Sequence, residues 1–357
     1  MEMIRAWWYE KHVTRDRLTP TLWCLGAAAL FGASTPLSKG LLGSLGPFSL
    51  AGLLYLGAAA AVLPFVRGGA SANKGARWTS RWRLAGAVVA GGVLGPVLLL
   101  SGLAHSTAAS VSLWLNLETP ATALLAAAFF REHLGQRTWW AIALVSVASV
   151  ALLWPAGFGD VSAAALVALA CVCWGIDNSL TALIDGFTPA QSTLVKGVVA
   201  GTFNLALGLW LERDMWRAGA LTAGLLVGAL SYGLSLVLHI ASAQHLGAAR
   251  AQTVFGTAPF WGVALSWVIL GEPRLPEQIL AAALMILALW VMSTEQHGHA
   301  HTHAAAVHTH WHRHDDSHHE HGHPEPAPSS WHSHEHAHEA GTHEHDHVPD
   351  LHHRHGH

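Results

Sequence analysis

The chain has 357 residues, of which 52% are hydrophobic and only 11% are charged. Soluble domains carry about 25% charged residues, so this composition argues against a soluble enzyme, and we expect no enzymatic activity. The charge is also divided unevenly, because the segment 297–357 holds 23 of the 28 His residues and a net negative charge. The three Cys residues stand in apolar runs, which predicts no disulfide framework.

Apolar runs dominate the chain from residue 20 to residue 293. A membrane span needs about 20 mostly apolar residues, because the hydrocarbon layer is roughly 30 Å thick. Ten runs meet this length: 20–41, 47–66, 84–104, 108–130, 138–157, 161–183, 190–211, 220–240, 248–270 and 276–293. We therefore predict an all-α integral membrane protein with ten transmembrane helices.

Lys and Arg predict the orientation of these spans. The arm 1–19 and the connections 67–83 and 131–137 together carry eleven basic residues. The alternate connections, which carry none, are 43–46, 105–107 and 158–160. Because cytoplasmic segments are enriched in Lys and Arg, we predict that both termini are cytoplasmic and that the protein is integral to the inner (cell) membrane. The second half of the chain has a weaker and partly opposite bias.

The two halves of the apolar region resemble each other at an offset of about 140 residues. FGASTPL at 31–37 aligns with WGIDNSL at 174–180, and AHSTAA at 104–109 aligns with QHLGAA at 244–249. Each repeat therefore has five spans, at 20–157 and 158–294. An odd number of spans inverts the second copy, which is typical of secondary transporters with a midplane site between the repeats.

At these residues the chain resembles the drug/metabolite transporter superfamily, in its ten-span form with two EamA-type repeats. The most specific stretch is ASVSLWLNLETPATALLAAAFFREHLG at 109–135, with a mid-span Glu before Thr-Pro, and Gly-Glu-Pro at 271–273 repeats its end. The resemblance implies export or exchange of small organic solutes, driven by proton or solute gradients and without ATP.

Polar and ionisable residues inside the spans are the candidates for the transport pathway, because such groups are expensive in lipid. Glu118 is the most central, and the spacing of four from Ser110 to Thr122 predicts one polar stripe on a helix. Glu118 is either a proton or cation site or a buried carboxyl bonded to a neighbouring helix. The full pathway set is Ser110, Trp114, Glu118, Thr122, Asp177, Asn178, Lys196, His239, Gln252 and Thr257.

Asp177 and Lys196 fall in the same half of adjacent spans. We expect a structural ion pair there, with a gate as the alternative, because facing charges offset part of their desolvation cost. Lys39 is predicted to extend its ammonium to the interface. His239 and His105 are either interfacial residues or members of a proton-coupled cycle.

The tail 295–357 lacks apolar periodicity and is predicted to be disordered and cytoplasmic. Its alternating His residues, with interleaved carboxylates, suit Zn, Ni, Cu or Co at several labile sites. An inert solubilising tail is the alternative. The predicted metal ligands are His299, His301, His303, His308, His310, His312, His314, His318, His319, His321, His323, His334, His336, His338, His343, His345 and His347.

Three functions fit these features. The first is a secondary transporter that exports a small organic metabolite or drug-like solute by alternating access, with the tail as a metal buffer and with no cofactor for transport. The second is a divalent-metal efflux carrier, and the third is a non-transporting membrane metal sensor. The expected partners are the lipid bilayer, a small-molecule substrate and divalent metal ions, without nucleic acid. A monomer and a homodimer are both compatible with the sequence.

Overall fold

The computed structural model describes most of the apolar region and four segments of the tail. The described ranges are 2–66, 78–130, 134–153, 158–181, 183–184, 189–212, 217–246, 248–293, 297–303, 306–312, 332–338 and 341–347. The chain divides into a helical body that ends at Thr294 and a tail unit that begins at Glu295. The predicted ligands His314, His318, His319, His321 and His323 lie outside the described residues.

The first repeat consists of five helical rods. They are α1 (Glu2–Leu41), α2 (Pro47–Val66), α3 (Trp78–Ala87, Val88–Leu94 and Gly95–His105), α4 (Ala108–Trp114, Leu115–Leu117 and Glu118–Phe130) and α5 (Gln136–Ala151). Each rod coincides with one predicted span. The N-terminal rod is longer than its apolar run, since the helix already begins at Glu2.

The second repeat also consists of five helical rods. They are α6 (Phe158–Thr181), α7 (Pro189–Leu211), α8 (Ala218–Val227, Gly228–Leu234 and Ser235–Leu246), α9 (Ala248–Phe255 and Ala258–Ile269) and α10 (Pro276–Ser293). The ten-span architecture is thus confirmed. Among the described residues, five helices are long and apolar enough by themselves to cross a membrane.

The helices deviate from α-geometry at equivalent places in the two repeats. A π-helical segment occupies Val88–Leu94 in α3 and Gly228–Leu234 in α8, at an offset of 140 residues. A 3-10 turn at Leu115–Leu117 interrupts α4, and α9 is interrupted between Phe255 and Ala258. The sequence analysis treated spans four and nine as continuous, and the structure corrects this.

A π-helical turn shifts the hydrogen-bonding pattern, so its carbonyl groups need other donors. In α3 the Gly91 carbonyl accepts from the Tyr55 hydroxyl at 2.6 Å and from Trp174 Nε1 at 3.1 Å. The Gly92 carbonyl accepts from Asn204 Nδ2 at 3.1 Å. Side chains of α2, α6 and α7 therefore donate hydrogen bonds to the carbonyl groups of this π-helical segment inside the bundle.

Glycines allow the rods to approach closely around α2. This helix packs against α7 and against the π-helical segment of α8. A Cβ atom at Gly57 would overlap the carbonyl of Leu225, and one at Gly228 would overlap the carbonyl of Leu54. Small residues at helix interfaces permit this contact in membranes, so α2 and α8 hold each other at backbone distance.

Four strands of the tail form two antiparallel pairs. Strand β1 (His297–His303) pairs with β4 (Gly341–His347), and β2 (Ala306–His312) pairs with β3 (His332–His338). The sequence analysis predicted disorder here because no apolar core can form. Alternation of His with other residues nevertheless matches the two-residue period of a strand, which accounts for the extended segments.

Replacing Gly228 with Ala should lower the thermal stability of the body. The added methyl group has no space beside Leu54, and overpacking of this kind costs about 1–3 kcal/mol. Gly219→Ala is the matched control in the same helix, because a Cβ atom at Gly219 meets nothing within 4 Å. Thermal unfolding in detergent micelles measures both; equal midpoints for the two variants would contradict the packing described.

Candidate functional site

Three helices place polar side chains together next to the 3-10 turn of α4. Glu118 begins the second half of α4, and its Oε1 atom accepts from Asn178 Nδ2 at 2.9 Å. Asn178 also lies 3.5 Å from Thr122 Oγ1. Glu118 and Thr122 are half-buried and Asn178 is exposed. We call Glu118, Thr122, Asp177, Asn178 and Lys196 the central site.

Asp177 and Lys196 form an ion pair beside Glu118. Lys196 Nζ donates to both carboxylate oxygens of Asp177, at 2.8 and 2.9 Å, and Thr181 Oγ1 donates to Oδ1 at 2.9 Å. The Asp177 and Lys196 side chains are only 11% and 18% exposed. Gly91 provides the space, because a Cβ atom there would overlap the Asp177 carboxylate.

The two carboxylates of the central site are therefore in different electrostatic situations. Asp177 faces an ammonium group that offsets its desolvation. Glu118 accepts from a neutral amide and lies within electrostatic reach of Asp177. A carboxylate in this setting can bind a proton or another cation without first breaking an ion pair.

Aromatic rings continue from the central site through the bundle. Tyr55 and Tyr232 have ring centroids 6.2 Å apart, and both lie within electrostatic reach of Glu118. Phe31 packs on Tyr232 at 5.6 Å and on Phe255 at 5.4 Å. The rings come from α1, α2, α8 and α9, so they line the region between the repeats. Flat rings of this kind bind apolar or cationic groups.

The structure separates the predicted stripe on α4. Trp114 is 1% exposed and donates from Nε1 to the carbonyl of Ser149 at 3.3 Å, so it packs against α5. Ser110 hydrogen-bonds to Thr107 at the start of α4. Only Glu118 and Thr122 of this stripe reach the central site, because the 3-10 turn changes the helical phase.

The remaining pathway candidates lie elsewhere in the body. His239 is half-buried, stacked on Phe255 at 4.5 Å and 3.9 Å from the Cys24 sulfur. Gln252 is exposed, and Thr257 donates to the carbonyl of Val254 at 2.7 Å. His239 belongs to α8 and Gln252 to α9, and Thr257 stands at the interruption of α9. Their roles stay predictions.

Sequence reasoning missed the tyrosines and Trp174. The chain has only three Tyr residues, and two of them stand inside apolar helices. A hydroxyl in such a position needs a hydrogen-bond partner, and this rarity was the available signal. Trp174 could not be singled out among the 17 Trp residues, because no neighbouring residue in the sequence marks a tryptophan that donates to a π-helical carbonyl.

Side chains that could ligate a metal ion are sparse among the described residues of the body. Among the described residues, no three His, Cys, Asp or Glu side chains come close enough together to hold one ion. Cys24 and His239 supply two soft donors, which is fewer than a tetrahedral zinc site uses. The central site instead offers carboxylate, amide and hydroxyl groups beside aromatic rings.

Comparison with known proteins identifies both repeats. The model of the EamA-like transporter family matches residues 18–154 and again 161–294. An uncharacterized transporter from Methanothermobacter thermautotrophicus is 27% identical over 211 residues, which are 56% of this chain and 61% of the relative. The alignment with one solved crystal structure covers 77% of this chain and 96% of the chain in that structure, with a TM-score of 0.56 and 18% identity. That likeness shows the fold alone.

Removing one partner of the Asp177–Lys196 pair should destabilise the body more than removing both. A lone buried charge costs about 3–5 kcal/mol when its partner is lost. We expect Lys196→Met and Asp177→Asn each to lower the unfolding temperature, and the double variant to recover most of the loss. A double-mutant cycle by thermal unfolding in detergent measures this coupling; additive losses would show that the pair contributes little.

Proposed function

The chain belongs to the EamA-like transporter family within the drug/metabolite transporter superfamily, and we propose that it exports a small organic solute by alternating access. Membership follows from the family match to both repeats. Beyond family membership, we propose that the cargo is a small organic solute, that it is exported, and that its transport is coupled at the central site. We also propose that the protein lies in the inner membrane with both termini in the cytoplasm. The matched relative is a transporter that the alignment covers to 61% of its length.

Glu118 is the residue that supports this proposal most directly. It is a carboxylate at an interrupted helix, its hydrogen-bond donor Asn178 is neutral and exposed, and Tyr55 and Tyr232 stand within its reach. An anionic group beside aromatic rings attracts a cationic or polar organic solute, or a proton that exchanges with it. Glu118 therefore has the chemistry that couples solute and proton binding.

The packing of the interrupted helices supports alternating access. The first half of α4 packs against the second half of α9, while the second half of α4 packs against α6. The first half of α9 packs against α1 and α8. The first half of α4 and the second half of α9 are thus in contact, as expected of a path closed on one side.

A divalent-metal efflux carrier is the second candidate. The Cys24–His239 approach at 3.9 Å favours it, since thiol and imidazole suit zinc and related ions. The described body brings no third ligand to this pair. Export of an organic solute therefore accounts for more of the central site than metal export does.

We also propose that the tail binds divalent metals, and the strand register supports this. His residues stand opposite His residues at six positions: 297 and 347, 299 and 345, 301 and 343, 308 and 336, 310 and 334, and 312 and 332. Opposed residues of an antiparallel pair have Cβ atoms about 4.5–5.5 Å apart. Two imidazoles at that spacing are suited to share one zinc or nickel ion.

Glu118→Gln should reduce solute efflux at least tenfold while the protein stays in the membrane. The amide keeps the size of the side chain but neither binds a proton nor attracts a cation. A thermal-shift screen of small solutes on the purified protein first identifies one that stabilises it. Efflux of that radiolabelled solute from proteoliposomes, with and without a pH gradient, then measures the effect.

Glu277→Gln is the matched control, because it makes the same chemical change in the first turn of α10. We expect this variant to transport normally. Equal efflux by the Glu118 variant and the unmodified protein would remove Glu118 from the mechanism, and loss in both variants would point to a general effect of charge.

The tail should bind zinc or nickel at pH 7.5 and release it below about pH 6, because protons then outcompete the metal for imidazole, whose reference pKa is near 6.5. Replacing His299, His301, His343 and His345 with Ala in the full chain should lower the number of bound ions more than replacing His352, His353, His355 and His357. A competition titration with a zinc-binding dye measures both. Equal losses would show that ligand number, and not strand register, determines binding.

A further inference from the structure

A ring of polar contacts surrounds the junction of α3 and α4. Lys39 Nζ donates to the carbonyls of Leu103 at 2.7 Å and Ser106 at 2.8 Å. Ser106 Oγ in turn donates to Asp160 Oδ1 at 2.8 Å. We call this end of the body, where α1 and α3 end and α4 begins, the Lys39 end. Its predicted location is the outer side of the membrane.

Glu272 joins the second repeat to this junction. The residue follows α9, and its two carboxylate oxygens accept from the backbone N–H groups of Ala108 at 2.7 Å and Ala109 at 2.9 Å. Gln278 Nε2 lies 3.4 Å from Thr107 Oγ1 and strengthens the same connection. Hydrogen bonds to an ionised carboxylate are shorter and stronger than neutral ones.

The helices are closely packed one turn along α4 from the Glu272 contact. A Cβ atom at Gly262 would overlap the Ser112 hydroxyl and approach the carbonyl of Gly32, so α1, α4 and α9 meet there at backbone distance. Ser112 is 1% and Thr35 is 2% exposed, and both line a small cavity between these helices. Opening this end requires the first half of α4 to move away from α9.

Glu212 makes a similar contact on a helix that has no such interruption. Its carboxylate accepts from the N–H groups of Phe48 at 2.8 Å and Ser49 at 2.9 Å at the start of α2. Helix α2 is continuous and packs closely along α7. The same kind of contact therefore exists at a place where no movement is required, and this provides an internal comparison.

We propose that Glu272 is the positioning residue that closes the Lys39 end of the transport path. Its carboxylate fixes the start of α4 to the second repeat, and loss of its two hydrogen bonds is the step that allows α4 and α9 to separate. The inference rests on the proposed alternating access. It is independent of Glu118 and of the identity of the solute.

Accessibility of a buried reporter tests this proposal. In the full chain, with Cys24, Cys171 and Cys173 replaced by Ser, Ser112→Cys or Thr35→Cys supplies one thiol below Glu272. A membrane-impermeant maleimide is added to proteoliposomes on each side in turn. We expect Glu272→Gln to raise the labelling rate of either reporter roughly fivefold or more from the Lys39 side, because hydrogen bonds to charged groups contribute measurably to closure.

Two controls distinguish closure from general loosening. Glu212→Gln removes a comparable carboxylate from α2 and should leave reporter labelling unchanged. A chain that keeps only the native Cys24, which is fully buried and donates to the carbonyl of Ala251 far along α1 from Lys39, should stay unlabelled in the Glu272 variant. Unchanged reporter labelling with Glu272→Gln, equal labelling with Glu212→Gln, or labelling of Cys24 would each overturn the proposal. Failure of the Glu118 experiment alone leaves this result unaffected, so the two failures are distinguishable.

Discussion

The structure depends on one constraint: a polar group inside the hydrocarbon layer must find its partner within the chain. The π-helical segment of α3 illustrates how this is met, since Tyr55 and Trp174 donate to the Gly91 carbonyl. Asp177 and Lys196 satisfy each other by the same rule. Polar residues of the body therefore gather where a helix departs from regular geometry, because the departure supplies both unpaired backbone groups and the space to approach them. The central site lies at such a place for the same reason.

The repeats share their irregularities but differ in the side chains that meet them. Both π-helical segments occur at the same offset, so the irregular geometry is common to the two copies. The residue that corresponds to Gly91 is Ser231, and Glu118 corresponds to Thr257 when Pro120 is aligned with Pro259. Only the first copy thus carries a carboxylate at its helix interruption. The two copies therefore share a scaffold but not the ionisable groups of the central site.

The span boundaries and the duplication could be predicted from the sequence, because hydropathy and self-similarity act over windows of about 20 residues. The pairing of Asp177 with Lys196 followed from the cost of a lone charge in lipid. The interruption of α4 could not be predicted, since nothing in LNLETP separates a straight helix from one with a 3-10 turn. Because of this turn, Trp114 faces α5 and not the side of Glu118, so the predicted stripe does not run along the whole of α4. The contacts of Glu272 were hidden for another reason: they join residues 163 and 164 positions apart, and only tertiary packing brings them together.

The residue types suited to metal ions and the groups of the central site lie in different parts of the sequence. Soft imidazole donors are concentrated after Thr294, whereas the central site combines oxygen and amide groups with aromatic rings. Among the described residues, no three His, Cys, Asp or Glu side chains come close enough together to hold one ion. Metal bound at the tail, as we propose, would lose affinity as protons compete for imidazole, whereas the central site contains no imidazole.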